Sequence, residues 1–214
     1  MNSLEDLFQL DRVAAMFHPE IQDDKRSTLF AVARLMAEAG AKWVVTGGLA
    51  AQLYVDQPRF TLDVDAIVRP EDEASVFSCL QTPAHAEEFE LIHRKRRWIA
   101  LVHRRSGTPV DINSSKLFQD LVEDPSWIDL EGVKLPFAAS RWIAFVKLRT
   151  QRRSWPRNPE KRLQDRADLM KILMANPEVP DELRSMVDEE MARLLEQVIE
   201  ELRQRPTEDL PPEE

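Results

Sequence analysis

The chain has 214 residues, of which 43% are hydrophobic and 31% are charged. This fits one globular domain, or one domain with a small appendage, and excludes a disordered or collagen-like chain. No apolar run approaches the roughly 20 residues that span a membrane, and the acidic start is unlike a secretory signal, so we expect a cytoplasmic protein with no membrane partner. The single cysteine excludes an internal disulfide and an all-cysteine zinc cluster.

Charge is distributed unevenly along the chain, whose net charge is −9. Residues 181–214 hold twelve acids and four arginines, whereas residues 91–105 hold six basic residues and no acid. A second basic run covers residues 147–166. Such runs are most often solvated faces, and they matter for function only where they flank a site for an anion.

Hydrophobic periodicity predicts a first half in which helices and strands are mixed and a second half that is helical. The predicted elements of the first half are helix 24–39, strand 42–46, helix 49–55, strand 59–68, helix 70–80 and strands 89–93, 97–102 and 110–113. Those of the second half are helices 140–152, 160–175 and 183–202. This order predicts an α/β domain followed by a helical region.

Gly47 and Gly48 are adjacent, between a predicted strand and a predicted helix. Two glycines allow the backbone to turn sharply there, and the amide groups at the start of the helix could bind an anion. The sequence therefore leaves two interpretations open, a phosphate-binding turn and a purely structural turn.

Arg59, Thr61, Asp63 and Asp65 alternate along the predicted strand 59–68 and would share one face of it, with Leu62 among the residues that face the core. Aspartate disfavours strands, and two neighbouring carboxylates repel each other unless a cation lies between them. This pattern predicts a site for a hard divalent cation such as Mg²⁺, and the alternative is an exposed acidic face.

Asp111 is the third candidate carboxylate, in a predicted strand where Val110 and Ile112 point the other way. If that strand lies near strand 59–68, three carboxylates cluster. Three acids can hold two metal ions about 3.5–4 Å apart, the arrangement used for in-line nucleotidyl displacement. The four histidines show no metal-ligand spacing, and no role is predicted for them.

Together these motifs resemble the nucleotidyltransferase fold shared with DNA polymerase β. Within it, the chain is most similar to the minimal bacterial nucleotidyltransferases of the AbiEii-type toxin group. The resemblance rests on the Gly-Gly-x-Ala motif at 47–50, the Arg-x-Thr-x-Asp-x-Asp motif at 59–65, Asp111, and the helical stretch 143–169. It covers about residues 27–175.

The resemblance implies a small mixed sheet of the nucleotidyltransferase type flanked by helices, with a C-terminal helical region. The predicted divisions are an N-terminal helical extension (1–26), a nucleotidyltransferase core (27–137), a helical region (138–202) and an acidic tail (203–214). We expect the tail to be disordered, because it combines three prolines and four acids with one large apolar residue.

The resemblance also implies roles for site residues. Asp63, Asp65 and Asp111 would bind metal, and Asp111 would act as the base on the acceptor hydroxyl. The implied nucleotide-binding residues are Gly47, Gly48, Arg59, Thr61 and Lys147.

The function implied is Mg²⁺-dependent transfer of a nucleoside monophosphate from an NTP to a hydroxyl. The basic runs favour tRNA or another RNA as acceptor, through phosphate contacts that position without reading sequence. The toxin group suggests an antitoxin protein as a partner. A small-molecule acceptor, a protein acceptor and a non-catalytic module that binds a partner protein remain open.

Overall fold

The computed structural model describes residues 8–9, 25–56 and 61–204, and the chain forms two compact units, Met1–Ile143 and Ala144–Glu214. The described strands are β1 (Trp43–Thr46), β2 (Val64–Val68), β3 (Phe89–Lys95), β4 (Trp98–His103), β5 (Pro109–Asn113), β6 (Pro125–Leu130) and β7 (Val133–Ala138). The α-helices are α1 (Lys25–Glu38), α2 (Gly47–Gln52), α3 (Glu73–Leu80), α4 (Pro83–Glu88), α5 (Gln119–Glu123), α6 (Ser140–Arg149), α7 (Pro159–Ala175), α8 (Val179–Met186) and α9 (Glu189–Arg203). In the described ranges, no helix is long and apolar enough to cross a membrane.

The seven strands form one mixed sheet in the first unit, in the order β3-β4-β5-β2-β1-β7-β6. β1 pairs antiparallel with β2, whereas β2 with β5 and β1 with β7 are parallel pairs. The central strands β1 and β2 are rich in buried valine, as expected for strands covered on both faces. This mixed sheet with flanking helices and a helical C-terminal region confirms the predicted fold class.

Helix α1 shows how the local pattern sets an element. Leu29, Val32, Leu35 and Met36 recur at helical spacing, and all four are fully buried. Gly40, two residues after the end of the helix, has φ +63°, and the amides of Gly40 and Ala41 donate to the carbonyls of Ala37 and Met36. This is the paired C-terminal capping arrangement that glycine adopts without a steric penalty.

The β6–β7 hairpin is a strand pair that the sequence prediction missed. The two strands are joined by Glu131 and Gly132, with φ +55° and +81°, the left-handed values that a tight two-residue hairpin requires. Pro125 and Pro136 hid the strands, because proline argues against a strand in a pattern search. In the structure β6 is an edge strand, where a missing amide donor is tolerated.

The predicted strand 59–68 was too long. β2 begins at Val64, and residues 61–63 have no regular structure. Leu62, predicted to face the core, is 59% exposed, so that prediction was wrong. The strict alternation of faces therefore holds only from Val64 onward.

The predicted helix 183–202 was also wrong, because the structure divides it into α8 and α9. Asp188 is the reason for the break. Its backbone is extended, and its carboxylate accepts the amide of Met191, so it caps a new helix instead of continuing the old one.

Other boundaries differ by two or three residues. Helix α2 spans Gly47–Gln52 rather than 49–55, α3 begins at Glu73 rather than at residue 70, β3 ends at Lys95 rather than at residue 93, and α6 ends at Arg149 rather than at residue 152. The division between the units falls at Ile143, inside α6, beyond the predicted end of the core at 137. Most of the predicted N-terminal extension and residues 205–214 of the predicted tail lie outside the described residues.

Candidate active site

Two of the predicted carboxylates meet on neighbouring strands. The parallel pairing of β2 and β5 places Asp65 directly opposite Asp111, and the antiparallel pairing of β1 and β2 places Thr46 opposite Asp65. Strands in a sheet lie about 4.8 Å apart, and opposed residues point to the same face. Both carboxylates are half-buried. A fold that pairs two acids in register accepts a repulsion that a bound cation would relieve.

Asp63 lies just before β2, two residues ahead of Asp65. The hydroxyl of Thr61 lies 3.3 Å from Asp63 Oδ1 and 3.4 Å from its backbone oxygen. Thr61 is buried, while Asp63 is half-buried. Thr61 therefore holds the segment that leads into β2. Arg59 lies outside the described residues.

The Gly47 turn is packed against Asp65. Gly47 has φ +68°, and a Cβ placed on it would lie 1.8 Å from Asp65 Oδ2 and 2.6 Å from Asp65 Cγ. Only glycine fits at this position, for two reasons. Its backbone conformation is left-handed, and its Cα lies so close to the Asp65 carboxylate that there is no room for a Cβ. Gly48 is buried in α2, and its carbonyl accepts the side-chain amide of Gln52.

Trp98 contacts Asp111 and was not predicted. Ala100 on β4 pairs with Asp111, so Trp98, two residues away, lies on the same face. Its indole Nε1 donates a hydrogen bond of 2.8 Å to Asp111 Oδ1. The His93 ring lies 5.3 Å away and Lys95 Nζ 5.9 Å from the indole. The alternation of side chains along its strand could have indicated which sheet face Trp98 occupies, but not that its partner is Asp111.

Lys147 belongs to an ion-pair network within the second unit. Its Nζ lies 2.6 Å from Asp165 Oδ1 and 2.9 Å from Asp168 Oδ2. Arg157 pairs with the other oxygen of Asp165 at 2.8 Å. Lys147, Asp165 and Asp168 are all buried. The ammonium is thus already neutralised by buried carboxylates, and its contact with nucleotide phosphates stays a prediction.

The basic run 91–105 does not form one patch. β3 and β4 form a hairpin whose turn carries Arg96 and Arg97, while Arg104 and Arg105 follow the far end of β4. At about 3.3 Å per residue, the six residues of β4 separate the two groups by roughly 17–20 Å. Arg104 pairs with Glu90, and Arg94 lies over the Phe77 ring. The turn is therefore the basic feature nearer to Trp98.

The donor chemistry of the three aspartates fits Mg²⁺, which prefers carboxylate oxygens. Their arrangement is open, however. In the part of the chain that the structure describes, three ligand atoms that all lie within 4.8 Å of one another occur at Glu38, Cys79 and His85, not at the aspartates. One of the two oxygens of Asp111, Oδ1, accepts the hydrogen bond from Trp98.

Comparison with known proteins gives matches only at the level of structure. No family model and no curated protein matches the sequence. The chain is similar to an antigenic nucleotidyltransferase-like protein from Paracoccidioides brasiliensis, with 16% identity, a TM-score of 0.50, and coverage of 79% of this chain and 91% of that one.

Two further solved structures show weaker similarity. One is the lincosamide antibiotic adenylyltransferase LnuA with lincomycin bound, with 18% identity, a TM-score of 0.45, and coverage of 67% and 95%. The other is the Megavirus polyadenylate synthase, with 14% identity, a TM-score of 0.41, and coverage of 72% and 32%. The similarity to the Paracoccidioides brasiliensis protein shows that the chain has a nucleotidyltransferase-like fold. Membership of the AbiEii-type group stays a prediction.

Proposed function

We propose that this protein transfers a nucleoside monophosphate from an NTP to a hydroxyl of an RNA acceptor, with Mg²⁺ as cofactor. The observation that carries the proposal is the register of Asp65 and Asp111 beside the Gly47 turn, in a sheet of the nucleotidyltransferase type. A structural role alone gives no reason to place two acids opposite each other and to press a left-handed glycine against one of them.

The proposed chemistry is an in-line displacement at the α-phosphorus. The acceptor oxygen forms a new bond to phosphorus, the bond to the bridging oxygen of the β-phosphate breaks, and pyrophosphate leaves. Asp111 takes the proton of the acceptor hydroxyl. Trp98 donates to Oδ1, so we assign the proton to Oδ2.

Asp63 and Asp65 would hold Mg²⁺ together with Asp111. A bound divalent ion supplies charge neutralisation for the triphosphate and lowers the pKa of the attacking hydroxyl. Thr61 positions Asp63 through its hydroxyl. Gly47 and Gly48 have no side chains, so the phosphates could approach their backbone beside Asp65. Arg59 and Lys147 are the remaining predicted nucleotide contacts.

The RNA acceptor is supported by charge. Arg96 at the β3–β4 turn and Arg105 beyond β4 are exposed cations on an otherwise acidic protein. Cations of this kind contact phosphates without reading sequence. The resemblance to the AbiEii-type group adds the proposal that the enzyme is a cytoplasmic toxin that an antitoxin protein restrains. Growth arrest on expression, relieved by the Asp65→Asn change, would support that role.

The deciding experiment incubates the protein with each α-³²P-labelled NTP, Mg²⁺ and total tRNA. We expect label in tRNA with wild type and none with Asp65→Asn or Asp111→Asn. Glu90→Gln, which removes an exposed acid from the same sheet, is the matched control and should retain activity. Label in a small molecule or in protein would show that the acceptor belongs to that class and would contradict an RNA acceptor. No transfer to any acceptor, together with stable binding of a partner protein, would favour a non-catalytic module.

A further inference from the structure

A second group of metal-ligating side chains lies where three helices of the first unit meet. Glu38 is the last residue of α1, Cys79 is next to last in α3, and His85 is in α4. One ligand atom from each lies within 4.8 Å of the other two, and His85 Nε2 is 2.9 Å from Glu38 Oε2. Glu38 is thus brought to Cys79 and His85 from about 40 residues away, and the three offer one oxygen, one sulfur and one nitrogen within 4.8 Å of one another.

Burial orders the three ligands from the interior outward. His85 is 2% exposed, Cys79 is half-buried, and the Glu38 side chain is 59% exposed. The imidazole stacks beside the ring of Phe89, with centroids 6.5 Å apart and the ring planes 30° from parallel. The group therefore has a buried ligand, His85, and a solvent-exposed ligand, Glu38, on the side from which an ion could enter.

The other nitrogen of His85 supplies an independent observation. His85 Nδ1 is buried and has no hydrogen-bond partner within the described ranges. The Glu88 carboxylate is directed at it from 3.7 Å, and Glu88 is in turn bound by Arg34. Metal-bound histidines almost always donate their second N–H to a carboxylate, a backbone carbonyl or a water, which fixes the ring and raises its basicity, and here Glu88 is the group that faces it.

A simple hydrogen bond between His85 and Glu38 does not account for these features. It explains neither the thiol of Cys79 at the same point nor a buried Nδ1 that faces a carboxylate without reaching it. A cation bound at Nε2 would polarise Nδ1–H toward Glu88 and separate Nε2 from Glu38. His85 Nε2 and the Glu38 carboxylate would then each bind the metal, instead of forming a hydrogen bond with each other.

The donor set selects the metal. Mg²⁺ takes oxygen ligands, whereas a thiolate, an imidazole and a carboxylate suit Zn²⁺, with ligand distances of about 2.0–2.3 Å. We infer that Glu38, Cys79 and His85 form a zinc site with three protein ligands and one open position, and that Glu88 orients His85 from behind. This site is separate from the proposed Mg²⁺ site and does not depend on the proposed function.

Cobalt substitution tests the site in the full chain. Protein stripped with a chelator should bind one Co²⁺, show a thiolate-to-cobalt charge-transfer band in the near ultraviolet and the visible bands of tetrahedral cobalt, and lose both on addition of Zn²⁺. Cys79→Ser should abolish the charge-transfer band. His85→Gln and Glu38→Gln should weaken binding, and Glu88→Gln should weaken it about 10- to 100-fold.

Two controls keep the test sharp. Glu87→Gln changes an exposed acid in the same helix and should bind Co²⁺ as wild type does. Asp65→Asn should also leave the cobalt spectrum unchanged, because the aspartates are a different site. Circular dichroism of each variant in chelator establishes that it is folded. A missing thiolate band in folded wild type, or equal Co²⁺ affinity in wild type and Cys79→Ser, would overturn the zinc site.

Discussion

Gly47 has two properties that can be separated by mutation. Alanine at this position would have to adopt a left-handed conformation, at about 1–2 kcal/mol, and its Cβ would collide with Asp65. Gly40 has a similar φ of +63° with nothing within 4 Å of an added Cβ. Gly40→Ala is therefore a control for the conformational strain alone.

We expect Gly40→Ala to lower the free energy of unfolding by about 1–2 kcal/mol and to retain transferase activity. Gly47→Ala should lower it further and abolish activity, because Asp65 must move. Chemical denaturation and the labelled-NTP assay measure the two effects. Equal unfolding free energies for the two variants would show that Asp65 can move away from the added Cβ without lowering the free energy of unfolding.

Trp98 is expected to position Asp111. Trp98→Phe keeps an aromatic ring but removes the indole donor, and a hydrogen bond to a charged group contributes about 1.5–3 kcal/mol. If the whole effect is on the transition state, the rate of transfer should fall about 10- to 100-fold. Trp142→Phe is the matched control, since the Trp142 indole donates to Asp124 at 3.1 Å. A similar rate loss in both variants would argue against a specific role for Trp98.

At the level of elements, Asp188 decides where α9 begins. Its Oδ1 accepts the amide of Met191 at 3.1 Å, and its other oxygen binds Arg152. The pKa of Asp188 is lowered below the ordinary carboxyl value. The largest cause is the hydrogen bond from the Met191 amide, and the next is the hydrogen bond from Arg152. A lowered pKa stabilises the fold above the unfolded pKa of about 3.9, and this contribution disappears as pH falls through the folded pKa.

We therefore expect Asp188→Ala to lower the melting temperature at pH 7 more than Asp188→Asn, because asparagine also caps helices well. The difference in melting temperature between wild type and Asp188→Asn should shrink as the pH is lowered below about 4. Thermal melts at matched pH values measure it. A difference of the same size at every pH tested would mean that the carboxylate charge is not the source.

Lys147 joins α6 to α7 through buried carboxylates. Removing one partner of a buried ion pair strands the other charge, at about 3–5 kcal/mol. We expect Lys147→Met to lower the free energy of unfolding by that amount. Lys161→Met, at an exposed position of α7, should change it little. Denaturant titration compares them, and equal values would show that the Lys147 ion pairs make no net contribution to the free energy of unfolding.

For the whole molecule, the proposed function predicts stabilisation by ligand. A ligand that binds only the folded protein stabilises it by about 2.7 kcal/mol at 100 times its dissociation constant. Mg²⁺ with NTP should therefore raise the melting temperature of wild type. Asp65→Asn should lose most of this rise, and Glu90→Gln should keep it. The same rise in all three proteins would reject Asp65 as a metal ligand.

Local pattern was sufficient for much of the fold. The spacing of Leu29, Val32 and Leu35 predicts α1, and the valines of β1 predict a buried strand, because the periodicity that marks an apolar face is set by residues a few positions apart. The Gly-Gly pair and the aspartate spacing likewise marked the turn beside Asp65. These features are encoded within short windows, so they can be read without knowledge of the rest of the chain.

Partners distant in sequence required the assembled sheet and helices. The pairing of Asp65 with Asp111, the hydrogen bond from Trp98, and the meeting of Glu38, Cys79 and His85 depend on which strands and helices become neighbours. Periodicity gives the face of a residue but not the element that covers it. For the same reason, the sequence did not show that the folded helices bring Asp165 and Asp168 to the ammonium of Lys147.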